Sequence, residues 1–93
     1  MQWTLEQLKA FTEAAEAGSF SAAARKLGKA QSRVSTAIAN LEVDLGFDLF
    51  DRSAKLPVLT NAGKEMLVDA KAILQQCQRM NSRAMAVTKG EPV

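Results

Sequence analysis

The most regular hydrophobic pattern in the chain lies in residues 28–47. Its apolar positions recur at steps of four, three and four, and they are Val34, Ile38, Leu41 and Leu45. At roughly 100° per residue, such steps align on one narrow stripe of a helix. Gly46 can supply the left-handed residue that commonly ends a helix, and Phe47 can fold back onto the last turn. The pattern predicts an amphipathic helix whose apolar stripe belongs to the core.

The opposite face of this predicted helix has an unusual composition. It carries small or hydrogen-bonding side chains and no carboxylate before Glu42, and these residues are Ser32, Arg33, Thr36, Ala39 and Asn40. Such side chains reach base edges and phosphates, so a face without acids suits a polyanion. The alternative is an ordinary solvated face, which most amphipathic helices have, although such faces are normally rich in Glu and Lys.

A first helix is predicted near the N-terminus. Thr4 and Gln7 have the spacing of a capping box, and Gly18 provides an end. The acidic residues of this helix are expected to face water without a direct function, and they are Glu6, Glu13 and Glu16. We interpret this helix as a supporting element.

A brief second helix is predicted over residues 22–27. Ser21 is the expected cap, Gly28 closes the helix, and a run of three alanines allows close approach to a neighbouring helix. Two helices joined around a glycine, the second with a polar outward face, form a helix-turn-helix. Any compact three-helix bundle can produce the same pattern.

The spacing of hydrophobic residues changes in residues 48–60. Short apolar pairs at 49–50 and 58–59 flank a turn-like segment with one proline, which predicts a small two-stranded hairpin. A hairpin that follows a recognition helix is a wing, and its loop would carry Arg52 and Lys55. The alternative is that these two cations are ordinary solvated charges.

A long helix is predicted after Thr60, which can cap it. Its apolar positions alternate steps of four and three, and they are Met66, Ala70, Ile73, Cys77, Met80, Ala84 and Val87. We call these residues the heptad stripe. About 27 residues give a rod of roughly 40 Å, which so small a domain cannot cover. We therefore expect the first six stripe residues to form a dimer interface; the alternative is a monomer whose long helix folds back onto its own domain.

Composition narrows the possible chemistry. The 93 residues are 47% hydrophobic, which suffices for one small core but leaves no room for a large ligand site. There is no histidine and a single cysteine, Cys77, which excludes Cys/His zinc sites, Cys–His or Ser–His catalytic pairs and an intrachain disulfide. We expect no catalytic residue, no metal site and no cofactor. The unpaired cysteine and the short apolar runs favour a soluble, unexported protein of the cytoplasm with no membrane partner.

The distribution of charge says more than the net value of +2. No acidic residue lies between Glu16 and Glu42, whereas this interval holds Arg25, Lys26, Lys29 and Arg33. A second interval without acids, residues 52–64, adds Lys55. Two basic patches of this kind favour a partner with a phosphate backbone.

Several motifs follow one another along the chain: Ala-Ala-x-x-Leu, Gln-x-x-x-Ser, Leu-Glu-x-x-Leu-Gly, Leu-Phe-x-Arg and Leu-Thr-x-x-Gly. In this order and spacing they resemble the N-terminal DNA-binding part of LysR-type transcriptional regulators, over about residues 5–89. The resemblance implies a mainly α fold, a winged helix-turn-helix of three helices and a two-stranded wing in residues 1–60. Residues 61–89 would form a linker helix that dimerises antiparallel to its mate, and residues 90–93 a linker remnant toward an effector-binding domain that this chain lacks.

The resemblance also implies a bacterial regulator that binds double-stranded promoter DNA with pseudo-palindromic half-sites as a homodimer, with higher oligomers open to the full-length protein. The recognition helix would enter the major groove, and the wing would lie on the backbone or minor groove. Family members usually contact DNA through positions that correspond here to Gln31, Ser32, Ser35, Thr36 and Arg52. With the basic and polar neighbours, the residues expected at DNA are Ser21, Arg25, Lys29, Gln31, Ser32, Arg33, Ser35, Thr36, Asn40, Arg52 and Lys55.

Three positions depart from the pattern of the family. Ala30 stands where Ser or Thr is frequent, so it cannot cap the third helix through its side chain. Ser32 stands where Pro is frequent, and Thr36 where Arg is common. Arg33, on an adjacent strip, is the candidate to replace that arginine in a contact to guanine or phosphate.

Two other classes of function compete with DNA binding. One is a protein-interaction module whose working surface is the long helix. The other is an enzyme, which has the least support because Glu42 and Asp44 lie on different faces of a helix and no base, metal set or phosphate loop accompanies them. The basic intervals favour DNA.

Overall fold

A computed structural model describes residues 3–53 and 55–90 and contains, in those ranges, four helices and a two-stranded sheet. In chain order the elements are α1 (Leu5–Ala17), α2 (Phe20–Leu27), α3 (Gln31–Leu45), β1 (Phe50–Asp51), β2 (Val58–Leu59) and α4 (Asn61–Thr88). The predicted mainly α fold with a two-stranded wing and a long last helix is confirmed. Of the expected linker remnant, residues 91–93 lie outside the described part.

α1 begins with the predicted capping box. The Thr4 hydroxyl accepts a hydrogen bond from the backbone N–H of Gln7 at 3.2 Å, and the Gln7 side chain accepts one from the backbone N–H of Thr4 at 2.8 Å. Gly18 ends the helix in the left-handed conformation, with φ of 76°. These local signals were sufficient to predict both ends.

The predicted cap of α2 was wrong. Ser19, two residues before Ser21, accepts the backbone N–H of Ala22 at 3.1 Å, and the helix begins at Phe20. Ser19 has the extended backbone that a cap requires, and the Phe20 ring packs against the core from the first helical position. Ser21 therefore lies in the first turn of α2, with its hydroxyl 3.5 Å from that of Ser19.

The predicted apolar stripe of α3 forms the middle of the core. Its residues Val34, Ile38 and Leu41 are each at most 1% exposed, and Leu45 is half-buried. α1 and α2 pack on this stripe, and the ring of Phe50 in β1 meets those of Phe11 and Phe20 edge to face, at 5.7 and 5.4 Å between centroids. Burying a side chain of this size stabilises the fold by about 1.5–3 kcal/mol. The first strand of the wing is thus anchored in the core of the helical domain.

The two strands pair antiparallel, with Phe50 opposite Leu59. The second strand leads directly into α4, where the Thr60 hydroxyl accepts the backbone N–H of Gly63 at 2.9 Å as the predicted cap. The backbone N–H of Thr60 donates to the carbonyl of Leu49 at 3.0 Å. A Cβ at Gly63 would collide with that same carbonyl oxygen, so the glycine of the Leu-Thr-x-x-Gly motif permits close approach of helix and wing.

α4 lies along α1 and then extends past the domain, so the molecule measures 52 × 25 × 20 Å. Ala70 is buried, and the residues that pack beside it on the core are Met66, Leu67, Ile73 and Leu74. Further along the helix, the exposed fractions are 72% for Met80, 60% for Met85 and 64% for Val87. Ile73 and Cys77 are half-buried within the single chain, so of the six residues expected at a dimer interface only Met80 and Ala84 are exposed. The heptad stripe begins as a contact with its own domain and becomes free only in its second half.

Candidate nucleic-acid interface

α3 presents its predicted polar face to solvent. All five residues of this face are exposed. We call four of them, Ser32, Thr36, Ala39 and Asn40, the polar strip, and the fifth is Arg33. Ala30 occupies the N-cap and, as expected for alanine, makes no side-chain hydrogen bond there. The N–H groups of Gln31 and Ser32 therefore have no side-chain cap at the start of α3.

The two edges of the polar strip border different elements. Relative to the buried stripe, a step of about 100° per residue places Gln31 and Ser35 on one edge and Arg33 on the other. Gln31 lines a cleft with residues of the wing, whereas Arg33 contacts α1. The strip is thus open in the middle and flanked by the wing and by α1.

A cleft of about 300 Å³ lies between the start of α2, the start of α3 and the wing; we call it the wing cleft. Four of the residues expected at DNA line it, and they are Ser21, Gln31, Arg52 and Lys55. The remaining lining residues, which the sequence did not single out, are Ser19, Phe20, Leu56 and Pro57. Two cations beside hydroxyl and amide groups form a surface suited to a phosphate backbone.

Arg52 is held in place by two neighbours. Its guanidinium nitrogens donate to the two carboxylate oxygens of Glu42 at 3.1 and 3.4 Å, and its charge lies 5.5 Å from the centre of the Phe20 ring. Both contacts restrict the guanidinium, so the alternative of an ordinary solvated charge does not describe Arg52. Its side chain is nevertheless 44% exposed, which leaves one side of it open to a ligand.

Glu42 does not continue the outward face of α3, contrary to expectation. It is buried, and its Oε2 atom accepts the backbone N–H groups of Leu49 at 2.7 Å and Phe50 at 3.3 Å, in addition to Arg52. Because the chain turns back at the end of α3, the wing covers this side of the helix. Glu42 belongs to the Leu-Glu-x-x-Leu-Gly motif and Arg52 to the Leu-Phe-x-Arg motif, so the two motifs together contain both partners of this ion pair.

The wing turns sharply after β1. The Asp51 carboxylate accepts hydrogen bonds from the backbone N–H of Ser53 at 2.9 Å and from its hydroxyl at 2.7 Å. The hydroxyl bond and then the N–H bond hold the pKa of Asp51 below its ordinary value, against a smaller opposing effect of burial. The carboxylate therefore remains charged and keeps this turn closed. Lys55, further along the loop, is exposed.

The three acidic residues of α1 each reach a cation on another helix. These ion pairs are Glu13 with Lys26 of α2 at 3.2 Å, Glu6 with Arg33 of α3 at 2.9 Å and Glu16 with Lys71 of α4 at 3.1 Å. Glu6 and Glu16 are exposed, as expected, whereas Glu13 is half-buried. All three form ion pairs because α1 packs against the other three helices. Two of the four cations in the first basic interval are consequently paired with carboxylates from outside that interval.

Arg33 and Lys29 lie apart from the wing cleft. With Glu6 and Lys9 they line a smaller cavity of about 220 Å³ between α1 and α3, which we call the α1 cavity. The hydrogen bond and the charge of Arg33 hold the pKa of Glu6 below its ordinary value, and Lys29 contributes weakly in the same direction. Sequence reasoning missed Glu6 and Lys9 here, since 27 positions separate Glu6 from Arg33 and no local pattern connects them.

Arg25, the remaining residue expected at DNA, is exposed and lines neither the wing cleft nor the α1 cavity. In residues 3–53 and 55–90 no group of three or more His, Cys, Asp or Glu side chains is placed to hold a metal ion. Among the same residues, no helix combines the length and apolar character that crossing a membrane requires.

Comparison with known proteins identifies the family. The family model described as bacterial regulatory helix-turn-helix protein, lysR family, matches residues 5–64. The chain is 42% identical over 85 residues to the HTH-type transcriptional regulator AceR of Acinetobacter baumannii. That match covers 91% of this chain and 29% of AceR.

Solved structures agree with this match. A CbnR_DBD-DNA complex has a TM-score of 0.83 at 39% identity and covers 91% of this chain and 98% of that one. OxyR of Corynebacterium glutamicum has a TM-score of 0.89 at 35% identity, over 95% of this chain and 27% of OxyR. The chain thus spans less than a third of the length of AceR and OxyR. With its four helices, its wing and this match over most of its length, the chain belongs to the lysR family of bacterial regulatory helix-turn-helix proteins.

Proposed function

We propose that this chain binds duplex DNA in a sequence-specific manner and is the DNA-binding part of a transcriptional regulator without enzymatic activity. The observation that carries the proposal is the polar strip of α3, open to solvent and bordered by a wing cleft with two cations. The likeness to the CbnR_DBD-DNA complex supports it, because the match covers nearly all of a chain that binds DNA. A regulator of this kind acts in the cytoplasm, where bacterial DNA lies.

The geometry suggests a division of roles. α3 enters the major groove, where the amide of Gln31 can pair with adenine and the hydroxyls of Ser35 and Thr36 can contact either donors or acceptors on base edges. Arg52 and Lys55 place the wing on the backbone or in the minor groove. The other expected residues bind phosphates or neighbouring bases: Ser32 and Asn40 lie within the strip, and Ser21, Arg25, Lys29 and Arg33 lie around it.

We further propose that two copies pair through α4 and thereby bring two recognition helices to a pseudo-palindromic site. The free half of the heptad stripe would form the contact, with Cys77 at its start and Met80 and Ala84 along it. Leaving large apolar side chains in water is unfavourable, so burial against a second copy is expected.

A selection experiment tests the proposed function. Wild type would be used to enrich sequences from a random duplex pool, and Kd would then be measured for the enriched sequence and for the pool. Gln31→Ala should weaken binding to the enriched sequence by about 1–3 kcal/mol and binding to the pool much less. Gln75→Ala on α4 is the matched control, because this exposed glutamine lies on the side of the helix opposite the heptad stripe. Failure to enrich any sequence, or equal losses on both DNAs, would contradict base recognition by Gln31 and α3.

The alternative function is a protein-interaction module in which α4 is the only working surface. The exposed Met80, Met85 and Val87 favour an association through α4, but they account for neither the polar strip nor the wing cleft. An α4-only module would dimerise normally and show no salt-dependent binding to duplex DNA.

A further inference from the structure

Glu6 and Arg33 form an ion pair at the α1 edge of the polar strip. The Nε atom of Arg33 donates to Oε1 of Glu6 at 2.9 Å, and the side chains are 61% and 48% exposed for Arg33 and Glu6, respectively. Within residues 3–53 and 55–90, neither Nη group of Arg33 has a hydrogen-bond partner. The pair therefore occupies one edge of the guanidinium and leaves its two terminal nitrogens open.

An arginine beside DNA can act in two ways. A free guanidinium is attracted to any phosphate and raises the affinity for all sequences. An oriented guanidinium that presents two nitrogens can bind O6 and N7 of guanine together, and this contact distinguishes bases. A carboxylate bound to Nε opposes the first action, because it offsets the charge, and favours the second, because it restricts the orientation.

The surroundings keep this carboxylate charged. Glu6 shares the α1 cavity with Lys9, Lys29 and Arg33, so cations face it from α1, from the turn before α3 and from α3 itself. The pKa of Glu6 is accordingly lowered, mainly by Arg33. Glu6 thus contributes a negative charge at the α1 edge of the polar strip, whose own residues include no acid.

We propose that Glu6 is a specificity-determining residue that acts through Arg33: it reduces the sequence-independent attraction of Arg33 for phosphate and positions its guanidinium for guanine. Glu6 is a positioning residue, and Arg33 makes the contact. This inference rests on the proposed DNA binding.

The exposure of the pair makes it accessible to experiment. Exposed ion pairs contribute little to stability, so Glu6→Gln should fold normally, which the thermal unfolding midpoint would verify. Together with Glu6→Gln, the variant Arg33→Gln and the double variant that carries both substitutions complete a double-mutant cycle. Glu16→Gln is the matched control, since it removes the same charge from an exposed pair with Lys71 on the α4 side of the helix.

The test measures Kd for two DNAs, the random duplex pool and the sequence that wild type enriches from it, at several KCl concentrations. Glu6→Gln should tighten binding to the pool about 3- to 10-fold at low salt and steepen the log–log salt slope by about 1 per subunit. It should lower the ratio of the two affinities about 3-fold or more, since random binding gains and guanine recognition loses. In the Arg33→Gln background, Glu6→Gln should leave this ratio unchanged.

The possible results distinguish a failure of the proposed DNA binding from a failure of the proposed role of Glu6. If wild type binds neither DNA, the proposed function fails and this inference fails with it. If wild type binds but Glu6→Gln tightens both DNAs equally, Glu6 is only a repulsive charge and the inference alone is wrong. A change of the ratio that persists without Arg33, or that Glu16→Gln reproduces, would overturn it as well.

Discussion

The carboxylate of Glu42, near the end of α3, accepts a hydrogen bond from the guanidinium of Arg52, the first residue after β1, at 3.1 Å. The same carboxylate accepts the backbone N–H groups of Leu49 and Phe50. One buried side chain therefore joins the recognition helix to the wing. The angle between these elements determines whether both can reach DNA at once, so Glu42 sets the geometry of the proposed interface without contacting DNA itself.

Replacing Glu42 with Gln should destabilise the fold by about 1–3 kcal/mol, because an amide cannot accept all of these hydrogen bonds and its NH₂ group would face other donors. Urea unfolding followed by circular dichroism measures the loss. Asp44→Asn, two residues further along α3, removes a carboxylate that makes none of these bonds and should stay within about 0.5 kcal/mol of wild type. A Glu42→Gln variant as stable as wild type would show that the carboxylate does not hold the wing.

The proposed dimer can be tested on α4 with a pair of matched variants. Met80→Lys places an ammonium in the free half of the heptad stripe, where burial of an unpaired charge costs several kcal/mol. It should raise the dimer Kd at least about 100-fold, as measured by sedimentation at tens of micromolar. Val68→Lys is the control, because Val68 is 69% exposed on the opposite face of the same helix. A Met80→Lys variant that remains dimeric, or a monomeric wild type, would exclude this interface.

The Glu6–Arg33 ion pair should depend on pH. The pKa of Glu6 in the folded chain lies below its ordinary value. The pair therefore stabilises the folded state fully at pH values above the ordinary pKa, and this stabilisation is lost as the pH falls through the lowered pKa. Arg33→Gln should raise the pKa of Glu6 in a carboxyl NMR titration. Asp51, whose pKa is lowered by Ser53, should titrate as before. An unchanged pKa of Glu6 would mean that the pair does not persist in solution.

Local signals explain which parts of the fold could be predicted. The Thr4 capping box, Gly46 and the period of α3 act over a few residues, so each can be identified from the sequence. The prediction of Ser21 as the cap of α2 was wrong, because the packing of Phe20 on the core, a tertiary contact, makes Phe20 the first helical residue and Ser19 the cap. In α4 the seven-residue period indicated the apolar face but not the point at which the helix leaves its own domain.

In the candidate site, too, local features could be predicted from the sequence and tertiary contacts could not. Gln31, Arg52 and Lys55 could be singled out because they stand in recognisable motifs or in a basic interval, and the fold gathers them in one cleft. Glu6 and Glu42 could not, because their roles depend on how α1 and the wing pack against α3. Residues 17–41 contain no acidic residue, yet in the folded chain Glu6 and Glu13 of α1 form ion pairs with cations of this interval.

The salt dependence of DNA affinity tests the central claim most directly. A labelled duplex of about 30 base pairs, long enough for two half-sites, would be titrated with the chain by fluorescence anisotropy at about 50 to 200 mM KCl. A dimer that neutralises on the order of 6 phosphates predicts a slope of about −5 in a plot of log affinity against log salt. A slope near zero, or no binding at low salt, would contradict the proposal that this chain binds DNA.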